Sequence, residues 1–274
     1  MDRGLLSLYR LMARRDIIAR MIRAIIFDCD GVIADTEPLH YQAFNSVLAE
    51  RDIRLSQTQY FQKYVGLNDP AVIRSIFADL RLPLDDQRTG RLLEAKNAAY
   101  LARIARGIEP LPGVTAFVAR ASERWPLALC SGARRVEIET ILRHAGLSRY
   151  FPIIVSSDDV TISKPDPAGF LRTLELLQQR ATSSLQARGL AVSPASSGAV
   201  GRVPPACVSC GPSRGLSAAE CLVIEDSAHG IAAAKSAGMR VLAVQSGCSA
   251  DKLSLADVIV PDLRSVTDDM IAAM

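Results

Sequence analysis

The chain has 274 residues, 49% of them hydrophobic and 22% charged, a length and balance suited to one large or two smaller globular domains. Its net charge of +3 is too small to imply nucleic acid, and no basic stripe interleaved with aromatics is present. No apolar run approaches the ~20 residues of a membrane span, so neither nucleic acid nor membrane is expected as a partner.

Residues 1–20 carry Arg3, Arg10, Arg14, Arg15 and Arg20 among Leu and Ile. They lack the uninterrupted apolar centre of a signal peptide, and Met21 stands just before the first strand. They are read as an N-terminal extension outside the fold. Ala24-Ile25-Ile26-Phe27 is a short apolar run with no polar break, which predicts a strand buried on both faces. It runs into Asp28-Cys29-Asp30-Gly31. Residues i and i+2 of an extended chain point the same way, so both carboxylates emerge together at the strand's carboxyl end, where open α/β sheets bind ligands. Gly31 lets the chain turn sharply there. One carboxylate could hold a cation and attack an electrophile, while the second passes a proton to a leaving group. The alternative is a loop whose acids merely accept turn hydrogen bonds. A calcium loop does not fit, because its fifth and twelfth positions would be Val32 and Leu39.

From Thr36 to Glu109 the pattern is helical, and no strand signal interrupts it. Pro38 suits a first helical turn, and Leu39, Phe44, Val47 and Leu48 recur at helix spacing. Ser56 with Gln59 forms a capping-box pattern ahead of Tyr60 and Phe61. Further apolar faces follow at Val72, Ile73, Ile76, Phe77 and Leu80, then from Leu92 to Ile104. This predicts a small helical domain, residues 38–109, inserted after the first strand.

Pro110-Leu111-Pro112-Gly113 breaks the helical run. Strands are then expected at Leu127–Cys130, Ile153–Val155, Cys221–Ile224, Val241–Val244 and Val258–Val260. Helices are expected at Val114–Ala121, Arg134–Ala145, Pro167–Gln179 and Gly230–Ala237, with another at the end of the chain. Strands spaced by helices predict a doubly wound, Rossmann-like parallel α/β sheet spanning 21–37 and 110–274. Residues 181–219 break the rhythm. They are rich in Ala, Ser, Gly and Pro, lack aromatics, and are expected to be a disordered insertion. The six cysteines are scattered, suggesting a reducing, cytoplasmic setting without a disulfide framework. Cys207-x-x-Cys210 has no second pair at zinc spacing and is read as coincidence.

The strand ends carry the chemistry. After Cys130 come Ser131-Gly132-Ala133, a hydroxyl and backbone N–H groups ahead of a helix. That suits a phosphate, although an ordinary serine cap is the plainer alternative. After Val155 the chain reaches Lys164-Pro165-Asp166-Pro167, whose prolines stiffen the turn beside one of only five lysines, the others being Lys63, Lys96, Lys235 and Lys252. After Ile224 come Glu225 and Asp226, a pair that is costly at a buried strand end unless it is paired or bound to a cation. Oxygen ligands beside a phosphate site suit Mg²⁺.

These stretches in this order resemble the four motifs of the haloacid-dehalogenase-like phosphatases. They are Asp28-Cys29-Asp30-Gly31-Val32-Ile33-Ala34-Asp35-Thr36, Ser131, Lys164-Pro165-Asp166-Pro167 and Val223-Ile224-Glu225-Asp226-Ser227 with Gly230-Ile231. The helical insertion is similar to that family's cap domain, and the nearest flavour is its β-phosphoglucomutase-like and sugar-phosphate phosphatase group. The resemblance implies that Asp28 attacks phosphorus and that Asp30 protonates the leaving oxygen and then activates water. It implies that Ser131 and Lys164 hold phosphoryl oxygens, and that Gly132, Ala133, Thr36, His40 and Lys96 lie on the substrate. It implies Mg²⁺ held by Asp28, Asp30 through its carbonyl, and Asp226, with Glu225 nearby. The mutases carry a cap arginine for a second phosphate. Here that region reads Gly66-Leu67-Asn68-Asp69-Pro70, where an acid would repel one. The expectation is a Mg²⁺-dependent phosphatase acting on a small phosphorylated metabolite, as a monomer or weak homodimer. A phosphosugar mutase is the alternative.

Overall fold

A computed structural model of the protein describes residues 21–65, 67–187 and 215–274. The N-terminal extension, Gly66, and the part of the expected insertion that holds Cys207 and Cys210 lie outside the described residues.

Among the described residues there are six strands: β1 (Ala24–Phe27), β2 (Leu127–Cys130), β3 (Ile154–Val155), β4 (Cys221–Glu225), β5 (Arg240–Val244) and β6 (Val258–Val260). They form one sheet in the order β3-β2-β1-β4-β5-β6, every pairing parallel. The chain winds outward from β1 through β2 to β3, then crosses back to lay β4 on the other side of β1. At such a reversal the loops on the two sides diverge and leave a crevice beyond the strands' carboxyl ends. Ile26 pairs with Ala128 on one side and Val223 on the other, so β1 is central and wholly buried.

Side chains alternate between the two faces. Ile25, Phe27, Leu129 and Ile224 join one core, into which α4 (Asp86–Ile104), α5 (Val114–Ser122) and α6 (Arg135–His144) place Tyr100, Phe117 and Ile141. Ala24, Ile26, Ala128 and Val223 join the other, packed by Phe170 of α7 (Ala168–Ala187) and Ile231 of α8 (Ala228–Ser236). Covered on both faces, the strands read as unbroken apolar runs, which is why they were legible. A short α9 (Asp268–Ala273) closes the chain.

Between β1 and α5 stand α1 (Glu37–Ala49), α2 (Gln57–Lys63), α3 (Asp69–Asp79) and α4. They enclose an apolar cluster of their own, including Phe44, Leu48, Tyr60, Tyr64, Ile73, Ile76, Phe77 and Leu92. The Ser56–Gln59 capping box is formed, while Asn68 and Asp85 cap α3 and α4. Ala43 of α1 and Tyr100 and Ile104 of α4 belong instead to the sheet's core, so these two helices tie the helical unit to the sheet.

Two expectations need correction. Helix α7 runs on to Ala187, so the expected insertion is helical over 181–187. The Thr182 and Ser183 hydroxyls donate to the carbonyls of Gln178 and Gln179, binding these polar residues into the helix. At the other end of the insertion Gln178 donates to Leu216 O, and Ser217 caps a short 3₁₀ turn, Ala218–Glu220. Helix α8 starts at Ala228 rather than Gly230, because the Ser227 hydroxyl accepts from Gly230 N and caps it. No helix among the described residues is long and apolar enough to cross a membrane.

Candidate active site

The ladder that makes β1 central also sets its first acid. Asp28 N donates to Ile224 O at 2.9 Å, extending the β1–β4 pairing one residue past the strand and holding Asp28 against the end of β4. Lys164 reaches the same point from the loop after β3. Its Nζ donates to Asp28 Oδ1 at 2.5 Å, Glu225 Oε1 at 2.8 Å and Cys130 O at 3.1 Å. The ammonium's three donors are thereby used. Asp166 accepts from Ala168 N and starts α7, whose Phe170 ring lies 4.9 Å from Lys164 Nζ.

Asp30 is held separately. Its Oδ1 accepts from Thr36 Oγ1 at 2.7 Å, and its Oδ2 lies 3.4 Å from Ser131 Oγ. Ser131 is not the cap of α6. Its N–H bonds to Val155 O at 3.0 Å, and its hydroxyl accepts from Ala133 N at 3.1 Å. Ser131, Gly132 and Ala133 therefore form a short loop between β2 and α6, with the glycine exposed. One acid is thus set against a lysine, and the other lies between two hydroxyls.

Glu225 and Asp226 differ from each other. The second oxygen of Glu225 accepts from Asp226 N and Ser227 N at 2.8 Å and from the Ser227 hydroxyl at 3.0 Å. With both oxygens committed, Glu225, expected beside the metal, braces the loop and anchors Lys164. Gly230 makes this possible, since a Cβ there would fall inside the Glu225 carboxylate. Among the described residues Asp226 accepts from Ser246 Oγ alone, at 3.0 Å, and its carboxylate lies over Gly31.

Burial pushes the Asp28 carboxyl up to about 7 against the pull of Lys164. Burial, then Glu225 and Asp28, raise Asp226 well above the carboxylate range. Burial also raises Asp30, although the Thr36 hydroxyl and Lys164 oppose it. Burial disfavours charge on Lys164, yet Asp28 and Glu225 outweigh it and hold the ammonium well above its ordinary value. Four acids, Asp28, Asp30, Glu225 and Asp226, thus crowd around one lysine. That excess of negative charge fits a divalent cation. Among the described residues no group of three or more His, Cys, Asp or Glu side chains forms a closed metal cage. Asp28 and Asp226 are acids that could hold it, with the carbonyl of Asp30 as the further oxygen the family resemblance implies, a sparse set of the kind Mg²⁺ uses when it keeps several waters.

His40 and Lys96 meet in the helical unit. Lys96, 1% exposed, donates to His40 Nδ1 at 2.7 Å and to Asp69 Oδ2 at 2.5 Å. Burial and Lys96 hold the His40 imidazole well below its ordinary value, and the ring stacks on Tyr100 with 3.9 Å between centroids. Asp69, the acid expected to repel a second phosphate, is therefore partnered by Lys96. Two further groups were missed. Glu37, next to Thr36, accepts from Tyr60 Oη at 3.1 Å, and burial pushes its carboxyl up to about 7. Arg134 is exposed at the start of α6, three residues after Ser131. A Glu beside the acid motif and an Arg following the serine loop were the signals available.

A protein-family model described as haloacid dehalogenase-like hydrolase matches residues 22–193. Fructose-1-phosphate phosphatase YqaB of Escherichia coli (strain K12) is 29% identical over 221 residues, covering 81% of this chain and 95% of that protein. β-Phosphoglucomutase of Bacillus subtilis (strain 168) is 26% identical over 256 residues, covering 91% of this chain and 94% of that one. In fold, the chain is similar to the crystal structure of CbbY from Rhodobacter sphaeroides in complex with phosphate. The TM-score is 0.72 at 21% identity, over 93% of this chain and all of that one. With the acid pair, serine, lysine and second acid pair gathered at one end of a parallel sheet, and the family match spanning most of the chain, this protein belongs to the haloacid dehalogenase-like hydrolases.

Proposed function

We propose that the protein is a Mg²⁺-dependent phosphatase that hydrolyses a small phosphorylated metabolite, a sugar phosphate or phosphoglycolate-like compound, through an aspartyl-phosphate on Asp28. The observation that carries this is the split environment of the acid pair. Asp28 lies against Lys164, which favours its ionised, nucleophilic form. Asp30 instead lies between the Thr36 and Ser131 hydroxyls, outside that ammonium's hydrogen bonds, which suits a group that must hold a proton and release it.

In this reading the Ser131 hydroxyl and the Gly132 N–H bind phosphoryl oxygens, while Ala133 N–H and Lys164 exchange their present partners, Ser131 Oγ and Cys130 O, for the substrate and offset charge that develops on it. Asp28 attacks phosphorus, and Asp30 gives its proton to the departing oxygen. Water then takes the leaving group's place, Asp30 removes a proton from it, and its attack on phosphorus breaks the Asp28 acyl phosphate's O–P bond, releasing inorganic phosphate and the Asp28 carboxylate. Mg²⁺, bound by Asp28, Asp226 and the carbonyl of Asp30, would screen the negative carboxylate from the negative phosphate.

The second reading is a phosphosugar mutase, which the β-phosphoglucomutase relative supports. A mutase must shield its phosphoenzyme from water and grip a second phosphate with cationic groups. Lys96 is a cation of the helical unit within electrostatic reach of Asp30, and it is tied to Asp69. The test is product analysis of β-glucose 1-phosphate and fructose 1-phosphate, with catalytic glucose 1,6-bisphosphate present. Inorganic phosphate is expected as the main product. Glucose 6-phosphate forming much faster than phosphate would favour the mutase.

A further inference from the structure

The phosphoryl group, placed against Asp28, Ser131 and Lys164, sets the direction of the rest of the substrate. Its leaving oxygen must meet Asp30, which Thr36 holds. Thr36 and His40 are four residues apart at the start of α1, and the His40 N–H bonds to Thr36 O at 3.0 Å, so the two lie one turn apart on neighbouring positions. Lys96 and Glu37 lie within electrostatic reach of Asp30, so a leaving group that passes Thr36 meets Glu37, His40 and the Lys96–Asp69 pair.

The charges waiting there are unusual. Lys96 spends two donors on Asp69 and His40, and the rings of Phe44 and Tyr100 each lie 5.0 Å from its Nζ. At 1% exposure the ammonium is closed off, whereas the Asp69 side chain stays 30% exposed at the first turn of α3. What the helical side shows a substrate is therefore the outer edge of Asp69, the Glu37 carboxyl with its Tyr60 partner, and an imidazole. Carboxylates accept hydrogen bonds from hydroxyl groups, but they repel a second anionic group. Arg134, on the core side, stands in solvent, where its pull is screened.

We infer that Asp69 is a specificity-determining residue: by occupying Lys96 it makes the site select a neutral, hydroxyl-bearing leaving group and reject one carrying a carboxylate or a second phosphate. This rests on the phosphatase reading and narrows it to monophosphates of neutral polyols and sugars.

The test uses the full chain with Mg²⁺ and two matched pairs of substrates. One pair is 2-hydroxyethyl phosphate and 2-phosphoglycolate, which differ only in an alcohol against a carboxylate. The other is fructose 1-phosphate and fructose 1,6-bisphosphate. The native protein is expected to favour the neutral member of each pair in kcat/KM by roughly tenfold or more, about 1.4 kcal/mol. Asp69→Asn keeps the size of the side chain and releases Lys96. It should move both ratios toward the anionic member by a similar factor, and Lys96→Met added to it should restore the native preference. A native preference for 2-phosphoglycolate, or ratios unmoved in a folded Asp69→Asn protein, would overturn the inference. The native ratios decide the matter if the variant does not fold. Phosphate release from none of the four compounds would refute the phosphatase reading itself, and the inference with it.

Discussion

Gly31 and Asp226 compete for one place: a Cβ on Gly31 would fall inside the Asp226 carboxylate, and Gly31 has φ +71. The loop after β1 and the loop after β4 can therefore close on each other only where the first carries no side chain. Gly31→Ala should displace Asp226 and strain a left-handed backbone, costing about 1–3 kcal/mol of stability. Loss of phosphatase activity by roughly a hundredfold is expected, with weaker Mg²⁺ binding by titration calorimetry, since the displaced acid is a metal donor in the proposed mechanism. Unchanged Mg²⁺ affinity in this variant would remove Asp226 from the metal site.

Asp28→Asn retains the shape of the side chain at the end of β1 but removes the nucleophile. Turnover should fall by roughly a thousandfold or more while the circular dichroism spectrum is unchanged. Substantial phosphate release by this folded variant would sink the aspartyl-phosphate mechanism. Removing Mg²⁺ with EDTA should stop native turnover, and added Mg²⁺ should restore it.

Lys164→Met leaves Asp28 and Glu225 side by side with no ammonium between them. All three side chains are largely buried, at 16%, 9% and 1% exposure for Lys164, Asp28 and Glu225, so solvent relieves little of the repulsion. Breaking such a buried ion pair costs about 3–5 kcal/mol, which urea unfolding at neutral pH would read. The loss should shrink in acid, where Asp28 takes up a proton.

Stability should respond to pH through Asp28, and in the direction opposite to a surface carboxylate. Its folded value, about 7, lies above its ordinary 3.8 because of burial. Between those values the folded state holds more protons than the unfolded one, so the group's contribution to stability falls as pH rises. In chelator, the melting temperature should drop from about pH 5 to about pH 8. Mg²⁺ should raise it more at the higher pH, because protons compete with the metal for the same carboxylate. A Mg²⁺-induced shift as large at the lower pH would remove Asp28 from the metal's ligands.

By itself the sequence determined what depends on neighbours along the chain. β1 announced itself because four apolar residues covered on both faces need no alternation, and the acids at 28 and 30 follow directly on it. The capping box at Ser56 and Gln59 closes over three positions, and the four motifs appear in order because each sits at the end of a strand with its own local signal. Over 181–187 the compositional signal misled: polar residues there suggested disorder, yet the Thr182 and Ser183 hydroxyls bond within the helix four residues back.

Only the tertiary structure decided the partnerships. Lys164 lies 136 positions from Asp28 and 61 from Glu225, and they meet because the strand order sets β4 directly beside β1. Lys96 and Asp69 are 27 positions apart on separate helices, and the packing of α1, α3 and α4 joined a buried lysine and a partly exposed acid into one pair. Charge in a sequence is only a count. Which charges cancel, and which remain to meet a substrate, depends on the few ångströms that folding sets between them, because the interaction of two charges strengthens as they approach and as water is excluded.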